Sequence, residues 1–167
     1  MNRSLVGVSA NLAALVGLVV TAAITSESYA SHGGCRRHAV PIKLTAHISS
    51  DGSGELRLSG VGSHLGRFTG RGTINSFNFD PVTNQIEVGV TATFVARDGD
   101  RLFASVLVSV EPASGRGAKS LTFTGGTGRF AGCSGSASGN CETELNPASP
   151  LTFECDSQTS GTLILVR

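Results

Sequence analysis

The chain has 167 residues with 13 Lys and Arg against 12 Asp and Glu, 22 Gly, 8 Phe, one Tyr and no Trp, at a formal net charge of +1. A balance this close to neutral, with no basic stripe along the chain, lacks the electrostatic footprint of a protein that binds nucleic acid or an anionic membrane. The few large aromatics leave aliphatic side chains to build the core.

Residues 1–30 carry the pattern of a helical secretory signal peptide. Arg3 gives a positive start, Leu12 to Ile24 is an apolar run, and Ser28-Tyr29-Ala30 offers small residues at the cleavage-determining positions. An uncleaved anchor is the alternative, since Ser4 to Ser26 is uncharged and nearly long enough to span. Cleavage after Ala30 removes Arg3 and Glu27, so the balance of charge is unchanged. The expected product is exported, to a periplasm or the medium, and has no membrane contact of its own. It comprises an N-terminal tail at 31–40 and one domain at 41–167, a length that suits a single core.

All four cysteines, Cys35, Cys133, Cys141 and Cys155, lie in the mature part. An even count in an exported chain points to two disulfides, with three possible pairings. The segment His32-Gly33-Gly34-Cys35-Arg36-Arg37-His38 has metal-ligand residue types, but so short a glycine-containing stretch does not pre-organise a tetrahedral shell. It reads as a solvated tail held by one bridge, and no metal or cofactor is expected.

From Pro41 the hydrophobic period is two. Ile42, Leu44, Ala46 and Ile48 alternate with polar residues, Asp51-Gly52-Ser53-Gly54 is turn chemistry, and Leu56 and Leu58 begin the return strand. Arg67 to Phe79 is extended with a break of phase between Ile74 and Phe77, the mark of a bulge, and Asp80 to Asn84 ends it. Ile86, Val88, Val90, Ala92, Phe94 and Ala96 share one face, and after Asp98-Gly99-Asp100 so do Leu102, Ala104, Val106, Val108 and Val110. Asp98 and Asp100 suit a turn better than a calcium loop, whose remaining ligands are missing. A loop at Pro112–Lys119, a short strand at Leu121–Thr124, a strand near Ser134–Thr143, another at Leu151–Cys155 and a last one at Gly161–Val166 complete the chain. No mature segment keeps a helical period over ten residues. Strands with turn signals at short intervals give an all-β fold, a barrel or a sandwich.

Between the last strands lies Phe123 to Gly139, in which six of seventeen residues are glycine. It is no phosphate loop: no Lys-Ser/Thr and no amphipathic helix follow. It reads as a tight corner in which Arg129 faces solvent or a carboxylate and Phe130 plugs the end of an apolar core. Gly66-Arg67-Phe68-Thr69-Gly70 repeats Gly128-Arg129-Phe130-Ala131-Gly132, so the motif is architectural. Cys141 and Cys155 end successive extended stretches with Asn146 to Pro150 as the reversal, which predicts a Cys141–Cys155 bridge and leaves Cys35 to pair with Cys133.

Gly125-Gly126-Thr127-Gly128-Arg129-Phe130-Ala131-Gly132-Cys133-Ser134-Gly135 resembles the glycine corner of the dirigent and allene oxide cyclase barrel group. Gly60-Val61-Gly62-Ser63-His64-Leu65-Gly66-Arg67-Phe68 is similar to a second segment of bacterial exported members of that group. The resemblance implies a single closed antiparallel barrel of about eight strands with an apolar interior, often assembled as a homo-trimer. The two motifs cover about a fifth of the mature chain and match no catalytic residue of the plant enzymes.

No catalytic residues are assigned. Neither His47 nor His64 has a nucleophile and an acid at triad spacing, and the glutamates lie on polar faces or in loops without an evident acid and base pair. Ser63 and His64, at a corner, and Phe94, on the aliphatic face, are the candidate ligand contacts. The expected function is that of an exported, non-catalytic barrel binding a small apolar ligand. A cyclase or isomerase, which rests on the resemblance alone, and a structural envelope or matrix protein are the alternatives.

Overall fold

A computed structural model describes residues 36–146 and 149–167. The signal peptide read at 1–30, His32 and Cys35 lie outside the described residues. Eight strands make a closed antiparallel barrel in sequential order: β1 (Arg37–Asp51), β2 (Glu55–Gly62), β3 (Gly66–Asp80), β4 (Gln85–Ala96), β5 (Arg101–Val110), β6 (Arg116–Gly126), β7 (Ser134–Asn146) and β8 (Ser149–Val166). Closure comes from β1 and β8, which pair from Arg37↔Val166 to Asp51↔Thr152. Among the described strands no edge is then left to template aggregation.

The turns follow from local chemistry. Asp51 Oδ1 accepts the Ser53 N–H at 3.0 Å, Asp80 Oδ1 that of Val82 at 2.8 Å, and Asp98 Oδ1 that of Asp100 at 3.3 Å. Each aspartate thus closes its own reversal with its side chain. The phase break in β3 is a bulge, with the register on β4 shifting between Ile74 and Ser76. It returns Phe77 to the interior-facing phase at the end of the strand.

Three boundaries differ from the sequence reading. β1 begins at Arg37, because Arg37 to Val40 find partners in Leu163 to Val166. β6 begins at Arg116, which shortens the expected loop at Pro112–Lys119 to a turn and makes Lys119 a strand residue. β8 is continuous, not two pieces, its ladder to β1 running unbroken through Asp156 to Ser160. Both faces are polar there, since Ser157 and Thr159 point inward, so hydrophobic alternation fades where the backbone pairing does not.

The interior divides into two ends. At one end Phe68, Phe94, Phe123 and Phe130 pack with Leu65, Leu102 and Leu163, and Phe130 and Leu163 have no exposed surface at all. Phe68 and Phe94 meet edge to face, their centroids 5.4 Å apart. A separate small cluster of Val110, Cys141 and Cys155 lies toward the other end.

The glycine corner caps the first end. Gly128–Phe130 is a single 3₁₀ turn whose Phe130 side chain enters the barrel. Gly128 takes φ 56°, and a Cβ there would strike the Asp100 carboxylate, so glycine is required on both counts. Asp100 accepts the Arg129 backbone N–H at 3.1 Å, the Arg129 guanidinium pairs with Asp98, and it lies 4.9 Å over the Phe130 ring. The β4–β5 turn therefore clamps the corner. The shorter copy differs in backbone: Gly66-Arg67-Phe68 opens β3, with Gly66 at φ 65° and Phe68 buried. Gly132 follows the 3₁₀ turn on the way into β7.

The expected disulfides are corrected by this packing. Cys133, Cys141 and Cys155 are buried free thiols. Cys141 stands opposite Ser157, and Cys155 opposite Thr143, so the two are diagonal across the β7–β8 ladder. Diagonal neighbours lie about 7–8 Å apart, beyond the usual Cα separation of a disulfide. Cys141 Sγ lies instead 3.1 Å from Thr143 Oγ1, and both cysteines remain thiols. The proposed partner of Cys133, Cys35, is outside the described residues.

Candidate functional site: the open end of the barrel interior

Toward the end opposite Phe130 the inward side chains do not fill the barrel. They leave a cavity of about 80 Å³ whose wall includes Leu56, Leu58, Val88, Val90, Val106 and Leu121. Its rim includes exposed Phe77 and the half-buried Ile86, Val108 and Phe153. The space arises because the inward residues here are mostly aliphatic on β1 to β6 and mostly small or polar on β7 and β8, while no described aromatic side chain is placed across this end as Phe130 is across the other.

One patch of the wall is polar. Lys119, Cys141, Thr143, Cys155 and Thr159 line the cavity from β6, β7 and β8. Lys119 is 7% exposed, and its Nζ donates to Ser157 Oγ at 2.5 Å. Ser157 lies on β8, two strands away. The residue opposite Lys119 on the intervening β7 is Gly139, which puts no side chain in the path. A Cβ at Gly139 would also collide with the Gln158 carbonyl, so glycine is needed there for the β7–β8 approach as well. Ser157 Oγ in turn donates to the Ala46 carbonyl at 3.2 Å, and Thr159 Oγ1 to the Leu44 carbonyl at 3.5 Å. No described carboxylate lies within ion-pairing distance of Lys119.

Burial pushes the Lys119 amine below its usual range, an effect opposed by the negative charge that Cys155 and Cys141 can carry. The Cys141 thiol is brought down to about 6. The leading cause is the hydrogen bond from Cys155; Thr143 and the charge of Lys119 add to it, and burial works against it. Thr143 Oγ1 is 3.1 Å from Cys141 Sγ. Cys155, as the donor to Cys141, is pushed up, with burial and the Cys141 charge acting the same way. The two thiols titrate as a pair, Cys141 lowered and Cys155 raised. The arrangement sets a thiol with a lowered pKa and a buried amine in the wall of one apolar space.

Of the residues singled out from sequence, Phe94 lines the cavity at its closed side. Ser63 and His64 sit in the β2–β3 turn, at the same end as the Phe130 plug and outside the cavity. Ser63 Oγ accepts the Lys43 N–H at 2.8 Å, and His64 Nε2 lies 3.2 Å from the Pro41 carbonyl oxygen, with His64 at φ 67°. Both hold the turn against β1. His47 faces outward and pairs with Asp156 at 3.0 Å. Among the described residues no three His, Cys, Asp or Glu gather as a metal site would require.

Sequence reasoning missed Lys119, Ser157 and Thr159 as interior residues, and took Cys141 and Cys155 for a bridge. A signal was present. Stepping back by two from Phe123 and Leu121 lands on Lys119, and from Leu165 and Leu163 the same step reaches Thr159, Ser157 and Cys155.

No protein-family model matches the chain, and no curated protein matches its sequence. Among solved structures the pterocarpan synthase dirigent protein GePTS1 is similar at a TM-score of 0.43 and 12% identity, over 81% of this chain and 89% of that one. So distant a likeness adds nothing to the closed barrel that the strand pairing establishes.

Proposed function

We propose that the chain is an exported barrel that binds a small apolar ligand in the open end of its interior and performs no catalysis on it. The observation that carries this reading is the unfilled aliphatic space bounded by Val90 and Val106 and reached past Phe77. An apolar cavity excludes water because water finds too few polar partners there, so an apolar guest gains contacts without displacing hydrogen bonds. The size selects the guest: about 80 Å³ is roughly half of a cavity of about 150 Å³ that takes up benzene. The ligand is accordingly small or slender. Export is supported by the charge, apolar run and small-residue pattern of residues 1–30.

The test uses protein recovered from the periplasm or medium, whose intact mass should correspond to a chain starting at Ser31. Methyl-resolved NMR under xenon, a smaller apolar guest, should shift Val88, Val90 and Val106, and Val106→Phe, which fills the space, should abolish the shifts. Shifts that survive Val106→Phe, or that fall only on outward residues such as Val61 and Leu107, would refute the ligand site. A membrane-retained chain with residues 1–30 present would refute export.

A further inference from the structure

We propose that Cys141 is a covalent attachment site for small apolar α,β-unsaturated aldehydes and ketones, with Lys119 as the proton donor to the adduct. The proposal rests on the ligand-binding reading of the open end and adds a chemical class to it. Three features of the wall argue for it. Cys141 lines the cavity while being only 3% exposed to solvent, so an electrophile reaches the sulfur by way of the apolar space. Thr143 Oγ1 on its own strand lies 3.1 Å from the sulfur, and Cys155 on β8 and Lys119 on β6 line the same cavity, surroundings that lower the Cys141 thiol. Lys119 has only a neutral hydroxyl, Ser157, as its described hydrogen-bond partner, so its ammonium is free to face a developing oxyanion.

The chemistry balances without any further reagent. The Cys141 thiolate forms a bond to the β-carbon of the electrophile, the C=C π pair moves toward the carbonyl, and the oxygen carries an enolate charge. The Lys119 ammonium first stabilises that oxygen and then gives up one proton to the adduct. Overall a thiol adds across a double bond: the anion and the cation are consumed together and a thioether and a neutral amine remain. Burial already disfavours the charged amine, which favours the proton transfer. Acyl transfer is a poorer fit, because it needs a general base for water, and His47 on β1 points outward to Asp156. A charged electrophile is also a poor fit, since the entry path past Phe77, Ile86 and Val108 is apolar.

The test incubates the full exported chain with trans-2-butenal, with butan-2-one as the saturated analogue of similar size. Borohydride reduction, intact mass and peptide mapping then locate the adduct. A single adduct on Cys141 is expected, formed at neutral pH at least about tenfold faster than on free N-acetylcysteine, as its larger thiolate fraction requires. Cys141→Ser should abolish it. Lys119→Met keeps the thiol and should shift the pH dependence of the rate upward, an effect that a purely structural lysine would not produce. Modification of Cys133 or of surface lysines instead, an adduct that persists in Cys141→Ser, or a rate no faster than the free thiol would overturn the proposal. A starting mass lower by two hydrogens, with Cys141 and Cys155 joined, would do the same. Methyl shifts at Val90 and Val106 with butan-2-one but no adduct with butenal would remove the attachment and keep the ligand site. Absence of both would remove both.

Discussion

The two ends of this barrel are built from the same strands and the same inward alternation, yet one is packed and the other is open. At the packed end four phenylalanines meet, and Phe130 is brought across the barrel by the glycine corner, which Asp98 and Asp100 hold in place. At the open end the inward residues are mostly valine, leucine and isoleucine, and Lys119, Cys141 and Cys155 share the wall with them. Strand number fixes how wide a barrel is, and side-chain size decides whether it is filled. One end is therefore packed by aromatic side chains, and the other keeps an unfilled space lined in part by Lys119 and Cys141.

The sharpest way to break that comparison is to truncate an aromatic side chain at each end. Phe130→Ala leaves a cavity in a packed region and should lower stability by about 3–5 kcal/mol. Phe77→Ala, at a rim position 44% exposed, should change it by less than about 1 kcal/mol. Chemical denaturation of both variants decides it, and equal losses would mean that the two ends do not differ in packing.

The next effect is on the pH dependence of stability between about 6 and 9 and comes from the open end. The folded Cys141 thiol sits at about 6, below its ordinary value of 9.0. Its contribution is therefore present above the unfolded value and lost as the pH falls through about 6. The lowered Lys119 amine acts in the same direction, since the unfolded chain binds its proton more readily. The raised Cys155 thiol acts in the opposite direction above its ordinary value of 9.0, where the unfolded chain releases a proton that the folded chain keeps. Stability should rise from pH 6 toward 9 and level off above it, where Lys119 and Cys155 act in opposite directions. Cys141→Ser should flatten the rise in a denaturant series across pH; an unchanged slope would show that the thiol is not held as a thiolate.

The smallest effect is at the clamp of the packed end. Arg129 is 41% exposed where it pairs with Asp98, and screened pairs of this kind contribute about 0.2–1 kcal/mol. Arg129→Ala should shift the unfolding midpoint by no more than that. A larger loss would make the clamp, and not the Phe130 plug, the main support of the packed end.

Much of the fold could be read from the residues, and the site could not. Period-two alternation from Ile42 to Val110, the aspartate turns at Asp51, Asp80 and Asp98, and the phase break after Ile74 specify strands, reversals and a bulge through local geometry alone. The weak places were those where inward residues are polar. Lys119 was assigned to a loop and Ser157 and Thr159 to a gap between strands, because polarity is taken as a sign of exposure, and these three are buried with partners supplied from other strands.

The sequence by itself determined an all-β chain of about eight antiparallel strands with a glycine corner carrying Phe130, since turn chemistry and alternation act over a few residues. Closure, register and emptiness were decided only in three dimensions. Whether Cys141 and Cys155 meet as a bridge or as thiols depends on a diagonal offset of the β7–β8 ladder. That Lys119 reaches past Gly139 to Ser157 depends on three strands lying side by side. Such relations are set by the packing of segments distant in the chain, and no local pattern encodes them.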